Sequence, residues 1–328
     1  MELLQLGQWT GILAVSLYVL IRGADLFVEG AKRIGASFGM SSFAIGVLIV
    51  GLGTSLPELA SSIAAVIAGT TEIVIANAVG SNITNILLIV GLLAMIGGPV
   101  MINRNLLKTE LPIFFIATIH FVASLYDGRI DQIESLLLFG TFCAYMWYLF
   151  SSGNEAKEEM KVHVKRKVTT KDIVFVVMGI VAVLAGAHYT VEMAVNIATG
   201  LAVPIGLVSI GAIAIGTSLP ELFVSLQALK GGETDLAIGN IFGSNAFNIL
   251  MVVGVPGLIT SLFDDVPGMF NSAGLMADPV VMELGIWILV ASSLILFING
   301  LARQVQRWEG VAMLIFFSFF LVKLIAFV

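Results

Sequence analysis

The sequence predicts an all-α membrane protein of ten transmembrane helices, built as two inverted repeats of five helices each. Composition is the first reason: 58% of the 328 residues are hydrophobic and only 12% are charged, against about 25% charged in an ordinary soluble domain. The second reason is a series of apolar runs, each close to the roughly 20 residues that cross a bilayer as a helix. The third reason is an internal repeat that relates the two halves of the chain.

The apolar runs define the predicted spans. They cover residues 6–29, 40–68, 72–97, 106–126, 130–152, 171–198, 203–230, 235–262, 281–300 and 308–327. The first run lacks a preceding basic region and a small-residue cleavage pattern, so we expect it to stay in the protein as a helix. The resulting division is a first repeat at residues 1–152, a polar linker at 153–170 and a second repeat at 171–328.

A repeated motif relates the two halves. The sequence GTSLPEL at residues 53–59 recurs unchanged at residues 216–222, an offset of 163 positions. At the same offset, residues 77–87 and 240–250 share the pattern N-x-x-G-S-N-x-x-N-I-L. Because each repeat contains an odd number of spans, the second copy is predicted to lie in the membrane in the opposite orientation.

The distribution of basic residues tests this orientation independently. If the chain starts outside, the loops after spans 1, 3, 5, 7 and 9 are cytoplasmic and contain thirteen Lys and Arg, whereas the outer segments contain only two, Arg129 and Lys323. We therefore expect both termini outside and the linker in the cytoplasm of a cell that holds the protein in its inner or plasma membrane. The linker, with mixed charges, is predicted to be a solvated connector. The thirteen residues are Lys32, Arg33, Arg104, Lys108, Lys157, Lys161, Lys165, Arg166, Lys167, Lys171, Lys230, Arg303 and Arg307.

Several classes of protein are disfavoured. A net charge of −6 provides no basic surface for nucleic acid. The sequence has no recognisable enzyme motif. Residues 51–53 are only a GxG fragment inside a span, which is a weak match to a nucleotide-binding motif, and His120, His163 and His188 are too far apart in sequence for the histidine pair of a zinc protease. We therefore expect no enzymatic activity, no cofactor and no obligate protein partner beyond membrane lipid. Cys143 is predicted to be a small core residue.

Two acidic residues lie in the membrane interior, where an ionised side chain has a high free energy. Glu58 and Glu221 fall near the middle of apolar spans, and an ionised side chain there requires a partner or a water-filled site. Pro57 and Pro220 come directly before them, supply no amide hydrogen and crowd the carbonyl four residues back. Broken helices with free carbonyl oxygens are therefore predicted at both places.

Other oxygen ligands accompany these carboxylates. Thr54 lies four residues before Glu58, on the same helical face. The neighbouring spans contribute two further pairs with the same spacing, which are Ser81 with Asn85 and Ser244 with Asn248. Carboxylate, carbonyl, hydroxyl and amide oxygens suit hard cations such as Ca²⁺ and Na⁺, and the set lacks the soft ligands that favour zinc or copper.

These motifs resemble the sodium/calcium exchanger family of the cation/calcium antiporter superfamily. That family has two alpha repeats, each with a GTS-x-PE signature followed by GSN-x-x-N or GSN-x-x-D, and both signatures occur twice in this chain. The resemblance extends over nearly the whole chain and is closest to the small prokaryotic members, which lack a large cytoplasmic insert. It implies a secondary active antiporter that exchanges Na⁺ for Ca²⁺ by alternating access.

The resemblance also implies the ligands. Ca²⁺ would be held by Glu58 and Glu221 with the main-chain oxygens of Thr54 and Thr217. Sodium would use the same carboxylates in sites that flank a central position. The further sodium residues implied are Ser55, Ser81, Ser218 and Ser244, the carbonyls near Gly51 and Ala214, and Asn85 and Asn248 at the central position.

Coupling follows from the shared ligands. The resemblance implies that about three Na⁺ replace one Ca²⁺, so that each cycle moves net charge across the membrane. Some relatives, including potassium-dependent ones, have Asp at the position of Asn248, so Asn here favours K⁺-independent exchange. The alternative on the same scaffold is a Ca²⁺/H⁺ exchanger, and a passive cation channel is a more distant one.

The first span of each repeat has a different role in this family, where it moves across the spans that hold the ions. Residues 6–29 and 171–198 occupy these places. Their acidic residues Asp25, Glu29 and Glu192 are predicted to reach interfacial water and to seat the helices. His188 occupies the repeat position of Asp25, so this pair is not symmetric.

Overall fold

A computed structural model of the chain describes residues 3–102, 110–152, 167–201, 216–260 and 274–327. The described residues are almost entirely helical and follow the predicted order of spans. The helices are α1 Leu3–Ser37, α2 Ser42–Ile67, α3 Glu72–Gly97, α4 Glu110–Ser124, α5 Gln132–Ser152, α6 Thr170–Gly200, α7 Leu219–Lys230, α8 Thr234–Thr260, α9 Val281–Ala302 and α10 Arg307–Phe327. Four two-residue strands are β1 Val100–Met101, β2 Arg129–Ile130, β3 Leu275–Met276 and β4 Gln304–Val305.

Length and apolarity make the described chain a multi-pass membrane protein. Within these ranges, seven helices are long and apolar enough to cross a bilayer, namely α1, α2, α3, α6, α8, α9 and α10. Helix α4 is apolar but has only 15 described residues, and α7 shows the last 12 residues of its predicted span. Most of the linker, residues 153–166, lies outside the described ranges.

The first helix is longer than predicted. It continues to Ser37, whereas the apolar pattern ended at residue 29. Ion pairs hold its polar last turns: Lys32 Nζ lies 2.6 Å from Glu233 Oε1, and Arg33 bonds Glu29 within the helix at 2.8 Å. The helix therefore extends beyond the apolar run, because its charged side chains there pair with Glu29 in the same helix and with Glu233 outside it.

Helix α8 is the centre of the molecule. Of its most apolar window, 94% is buried, against 22% for α10 and 28% for α6 at the periphery. Phe242 of α8 packs between Phe43 of α2 and Phe114 of α4, with ring centroids 6.2 and 5.4 Å apart. The outer helices expose apolar side chains, as expected for a surface that lipid covers. Cys143 belongs to this exposed surface of α5, so its prediction as a core residue is wrong, because hydropathy does not separate lipid-facing from buried positions.

Glycines bring α2 and α8 into backbone contact. A Cβ atom on Gly243 would lie 2.8 Å from the backbone of Val47, and one on Gly51 would lie 3.0 Å from the amide nitrogen of Ser244. Such close approach requires residues without side chains. The two helices that carry the repeated motifs of opposite halves are thereby fixed against each other.

A second close pair is formed by α1 and α6, which run antiparallel. A Cβ on Gly23 would lie 2.8 Å from the nitrogen of Val183, and one on Gly186 would lie 2.7 Å from the nitrogen of Leu20. Gly23 and Gly186 are repeat equivalents at the offset of 163. The first helices of the two repeats therefore pack as one two-helix unit along the outside of the bundle.

The short strands agree with the inverted repeat. Strand β1 pairs with β4 and β2 pairs with β3, both antiparallel. Strands β1 and β3 each follow the third helix of a repeat, and β2 and β4 each follow the fourth. If all ten helices cross the membrane, β1 and β4 lie in loops on one side, and β2 and β3 lie in loops on the other. The inverted repeat relates β1 to β3 and β4 to β2, so it relates one strand pair to the other. The predicted fold, two inverted five-helix repeats with broken helices, is confirmed.

The α2–α8 contact predicts an asymmetric effect of one substitution at equivalent glycines. Gly243→Ala forces a methyl group against the backbone of Val47, so we expect a loss of about 1–3 kcal/mol in stability. Gly80→Ala, at the repeat-equivalent position, meets no atom within 4 Å and should leave stability unchanged or slightly higher. Thermal unfolding of both variants in detergent checks this, and equal effects would contradict the assigned contact.

Candidate functional site

Both repeated motifs form a helix break with nearly the same backbone. Ser55 has φ −89° and ψ 8°, and Ser218 has φ −89° and ψ 4°. A new helical segment begins at Leu56 and at Leu219, with the proline of the motif in its first turn. The predicted breaks are confirmed. Each proline starts a helix rather than kinking one, because the first turn needs no amide hydrogen from it.

The two acidic residues lie in the first turns of these new segments. Glu58 and Glu221 are both 0% exposed. Their carboxylates therefore benefit from the positive end of a short helix dipole, which offsets part of the cost of burial.

The carboxylate of Glu221 is bound by hydroxyls from both repeats. Ser55 Oγ donates to its Oε1 at 3.0 Å, and Ser244 Oγ donates to the same atom at 3.4 Å. Among the described residues, Oε2 of Glu221 and both carboxylate oxygens of Glu58 have no hydrogen-bond partner. Two buried carboxylates with three free oxygens require a positive charge, from a cation or a proton, to be stable in an apolar surrounding.

Two asparagines hold the turns that carry the carboxylates. Asn77 Nδ2 donates to the backbone oxygen of Glu58, and Asn240 Nδ2 donates to that of Glu221, both at 3.4 Å. Asn240 also donates to Ser225 Oγ at 2.9 Å. The sequence aligned these asparagines, but their role was not predicted. Each asparagine lies four residues before a predicted ligand serine, Ser81 or Ser244, and this spacing was the sequence signal that could have indicated the role.

The hydroxyl contacts between repeats are nearly symmetric. Ser81 Oγ lies 3.2 Å from Thr217 Oγ1, and Ser244 Oγ lies 3.4 Å from Thr54 Oγ1. These two pairs are equivalent at the repeat offset. The structure therefore brings predicted ligand residues of opposite repeats into contact in pairs.

A further link joins the GSN motifs themselves. Asn82 Nδ2 donates to the backbone oxygen of Asn245 at 3.0 Å. The sequence did not predict this contact, because nothing in the pattern shows that the two motifs touch. Asn82 therefore joins the halves of the molecule beside the site.

Other predicted residues lie in the same buried region. Asn85 and Asn248 are 0% exposed, and neither amide group has a hydrogen-bond partner in the described part of the chain. The Ser218 hydroxyl likewise has none within those ranges. Gly51 accepts a bond from Ser244 Oγ at 3.3 Å through its carbonyl oxygen. Buried polar atoms of this kind fit a pocket whose partners are ions or water. Ala214 lies outside the described residues.

Two cavities approach this region. One has a volume of about 320 Å³ and lies between α6 and the two broken helices, with Pro57, Thr217, His188 and Glu192 in its lining. The other has a volume of about 340 Å³ and lies between α3 and α9, with Ser81 in its lining. Thr217 lines the first cavity and Ser81 lines the second. Their hydroxyl oxygens are 3.2 Å apart, so the two cavities border the same contact.

Similarity to known proteins agrees with this geometry. A family model described as sodium/calcium exchanger protein matches residues 8–151 and 171–326. The putative antiporter CaxA of Alkalimonas amylolytica is 35% identical over 310 residues, which are 92% of this chain and 94% of that protein. The sodium/calcium exchanger MaX1 of Methanosarcina acetivorans is 32% identical over 354 residues, covering 95% of this chain and 97% of that protein.

A solved structure shares the fold. The sodium-calcium exchanger NCX_Mj, in crystals soaked with Na⁺ and Sr²⁺, is 29% identical and aligns with a TM-score of 0.78. The alignment covers 96% of this chain and 98% of that one. The similarity therefore includes both repeats.

The unequal hydrogen bonding of the two motif serines predicts unequal effects on stability. Ser55→Ala removes the 3.0 Å bond to Glu221, and we expect a loss of about 1–2 kcal/mol in protein freed of Na⁺ and Ca²⁺. Ser218→Ala, the repeat equivalent, removes a hydroxyl without a described partner and should be neutral or stabilising. Thermal unfolding in a choline buffer measures both, and a larger loss for Ser218→Ala would contradict the described asymmetry.

Proposed function

The chain belongs to the sodium/calcium exchanger family, and we propose that it is a secondary active antiporter that exchanges Na⁺ for Ca²⁺ across a membrane. The observation that supports this most is that Glu58 and Glu221, one from each inverted repeat, are both fully buried, and that Ser55 of the first motif bonds the Glu221 carboxylate of the second. Exchanger proteins transport ions and do not transform substrates, so Ca²⁺ and Na⁺ are cargo. This set of oxygen ligands suits hard cations.

Calcium is proposed to bind between the carboxylates of Glu58 and Glu221 and the main-chain oxygens of Thr54 and Thr217. Sodium is proposed to use the same carboxylates with additional oxygens around them. Free carboxylate oxygens and buried amides in the described site support this assignment. The proposed sodium residues are Gly51, Ser55, Ser81, Asn85, Ala214, Ser218, Ser244 and Asn248.

Shared ligands make the two cargoes exclude each other. One Ca²⁺ balances the two carboxylates, and a full set of Na⁺ needs the same oxygen atoms, so the site cannot hold both. If about three Na⁺ replace one Ca²⁺, each cycle moves one net charge. We therefore propose electrogenic exchange.

The hydroxyl and amide oxygens favour sodium over protons as the counter-ion. A proton needs only the carboxylates, whereas the contacts around Ser81, Thr217, Thr54 and Ser244 provide an array of oxygens that a bare proton would not use. Asn248, where potassium-dependent relatives have Asp, supports K⁺-independent exchange. A Ca²⁺/H⁺ exchanger remains the alternative on this scaffold.

Orientation and movement complete the proposal. We place both termini outside and the linker of residues 153–170 in the cytoplasm, between repeats at 1–152 and 171–328.

The cavity beside His188 and Glu192 lies toward the end of α6 that is remote from the linker, so it faces outward in this orientation. At the opposite side Phe27 of α1, only 1% exposed, packs against Gly53. The two-helix unit of α1 and α6 is proposed to move across the site and to open each side in turn.

The proposed coupling predicts a strict dependence on internal sodium. Purified protein in vesicles loaded with Na⁺ should take up external ⁴⁵Ca²⁺, and uptake should stop when choline replaces internal Na⁺ at the same pH. Glu58→Gln and Glu221→Gln should each abolish uptake, because one charge of the pair is lost. Uptake that persists with choline and requires a pH gradient would establish the proton-coupled alternative instead.

The same vesicles provide the controls. Glu309→Gln, at a half-buried position that caps α10, should leave uptake unchanged. An inside-positive potential set with valinomycin should raise the initial rate, because the cycle carries net positive charge outward as Ca²⁺ enters. A rate that does not respond to the potential would contradict electrogenic exchange.

The proposed movement predicts different effects for two engineered disulfides in a Cys143→Ser background. A Cβ on Gly216 lies 3.7 Å from Val191 Cβ, within the range for a disulfide, so V191C with G216C should tie α6 to the site and stop exchange until a reductant is added. S16C with T190C joins α1 to α6, where the native hydroxyls are 3.0 Å apart, and should leave exchange intact. Single-cysteine variants control for each substitution. Normal exchange with α6 locked would contradict the moving unit.

A further inference from the structure

The mouth of the cavity beside α6 carries a histidine and a glutamate on one helical face. His188 and Glu192 are four residues apart and both line the cavity of about 320 Å³. His188 Nε2 lies 3.8 Å from Glu192 Oε2, and the two side chains are 73% and 47% exposed. The floor of the same cavity includes Thr217 and both motif prolines. Any cation that uses this cavity passes the pair.

The repeat shows how unusual this pair is within the molecule. Most positions that line the cavity have an identical residue at the offset of 163; Glu192 corresponds to Glu29, and Thr217 to Thr54. The main chemical difference is His188, which corresponds to Asp25. The corresponding positions on α1 therefore hold two carboxylates, Asp25 and Glu29, and no imidazole.

The partners of the two pairs differ as well. On α1, Arg22 lies 3.3 Å from Asp25 and Arg33 lies 2.8 Å from Glu29. The corresponding positions on α6 are Ala185 and Asn196, so neither arginine has a counterpart there. The only ion-pair partner described for Glu192 is His188. Both ligand atoms at the outer mouth are consequently available to an ion from solution.

The spacing suits a transition-metal ion. Zinc binds imidazole nitrogen at about 2.0–2.1 Å and carboxylate oxygen at about 2.0–2.2 Å, so two ligands in tetrahedral geometry are about 3.4 Å apart. The observed 3.8 Å between Nε2 and Oε2 closes to this value with a small rotation of exposed side chains. Imidazole selects zinc and similar metals over Ca²⁺, which prefers oxygen alone.

We propose that His188 and Glu192 form a binding site for a transition-metal ion such as Zn²⁺ at the mouth of the cavity, and that its occupancy obstructs the path to Thr217. Two protein ligands leave the remaining positions to water, so the site is reversible and solvent-accessible. Metal binding itself is independent of transport, whereas its effect on flux rests on the proposed exchange function.

Calorimetric titration of the detergent-solubilised protein with ZnCl₂, in a choline buffer without Na⁺ or Ca²⁺, tests the site directly. The wild type should bind Zn²⁺, and His188→Ala should weaken this binding by about tenfold or more, since even the loss of a group that positions a metal ligand costs about 10–100-fold. Glu192→Gln should weaken it as well. His120→Ala, whose ring bonds Thr141 on another part of the molecule, should have no effect. Unchanged binding in His188→Ala would overturn the proposal.

A flux measurement tests the obstruction. External Zn²⁺ should slow ⁴⁵Ca²⁺ uptake by the wild type, and His188→Ala should need at least about tenfold more Zn²⁺ for half-maximal inhibition, following its loss of affinity. Equal sensitivity of both proteins would show that the metal acts elsewhere and would overturn the obstruction. If neither protein exchanges ions at all, the proposed exchange function fails while the calorimetric result still decides the metal site.

Discussion

The structure depends on the burial of two carboxylates that come from opposite halves of the chain. Glu58 and Glu221 are completely buried, and Ser55 of the first motif bonds the carboxylate of Glu221 in the second. An apolar environment makes this arrangement unfavourable unless positive charge and hydrogen-bond donors are supplied locally. The broken helices, the bracing asparagines and the hydroxyls from the other repeat all serve this requirement.

Rigidity around the pair comes from helices that approach without side chains between them. The glycines of α2 and α8 place Gly51 and Ser244 in direct contact, and Ser244 bonds both the Gly51 carbonyl and Glu221. The α1–α6 unit is different, because glycines at Gly23, Gly179 and Gly186 bring the backbones of its own two helices together. A rigid site beside a separately packed pair is the mechanical arrangement that alternating access requires.

Symmetry and its violations have distinct physical meanings. The helix breaks at Ser55 and Ser218 and the hydroxyl pairs Ser81–Thr217 and Thr54–Ser244 repeat almost without change. Two related arrangements of similar energy are the natural consequence of such repetition. Ser55 bonds a carboxylate while Ser218 has no partner among the described residues. The described conformation has a cavity at one side and Phe27 packed on Gly53 at the other.

Sequence alone determined the fold class, and it predicted the position of the site and its ligand chemistry. Hydropathy located the spans because the bilayer requires long apolar helices, and the proline with glutamate in mid-span identified both breaks because charge and missing amides are costly there. Only the tertiary structure decided which atoms meet. The bond from Ser55 to Glu221, the support of Asn77 for Glu58 and the contact of Asn82 with Asn245 depend on how inverted halves interlock. A one-dimensional pattern gives the spacing along each helix, but the relative position of two helices is set by packing, which involves residues far apart in the chain.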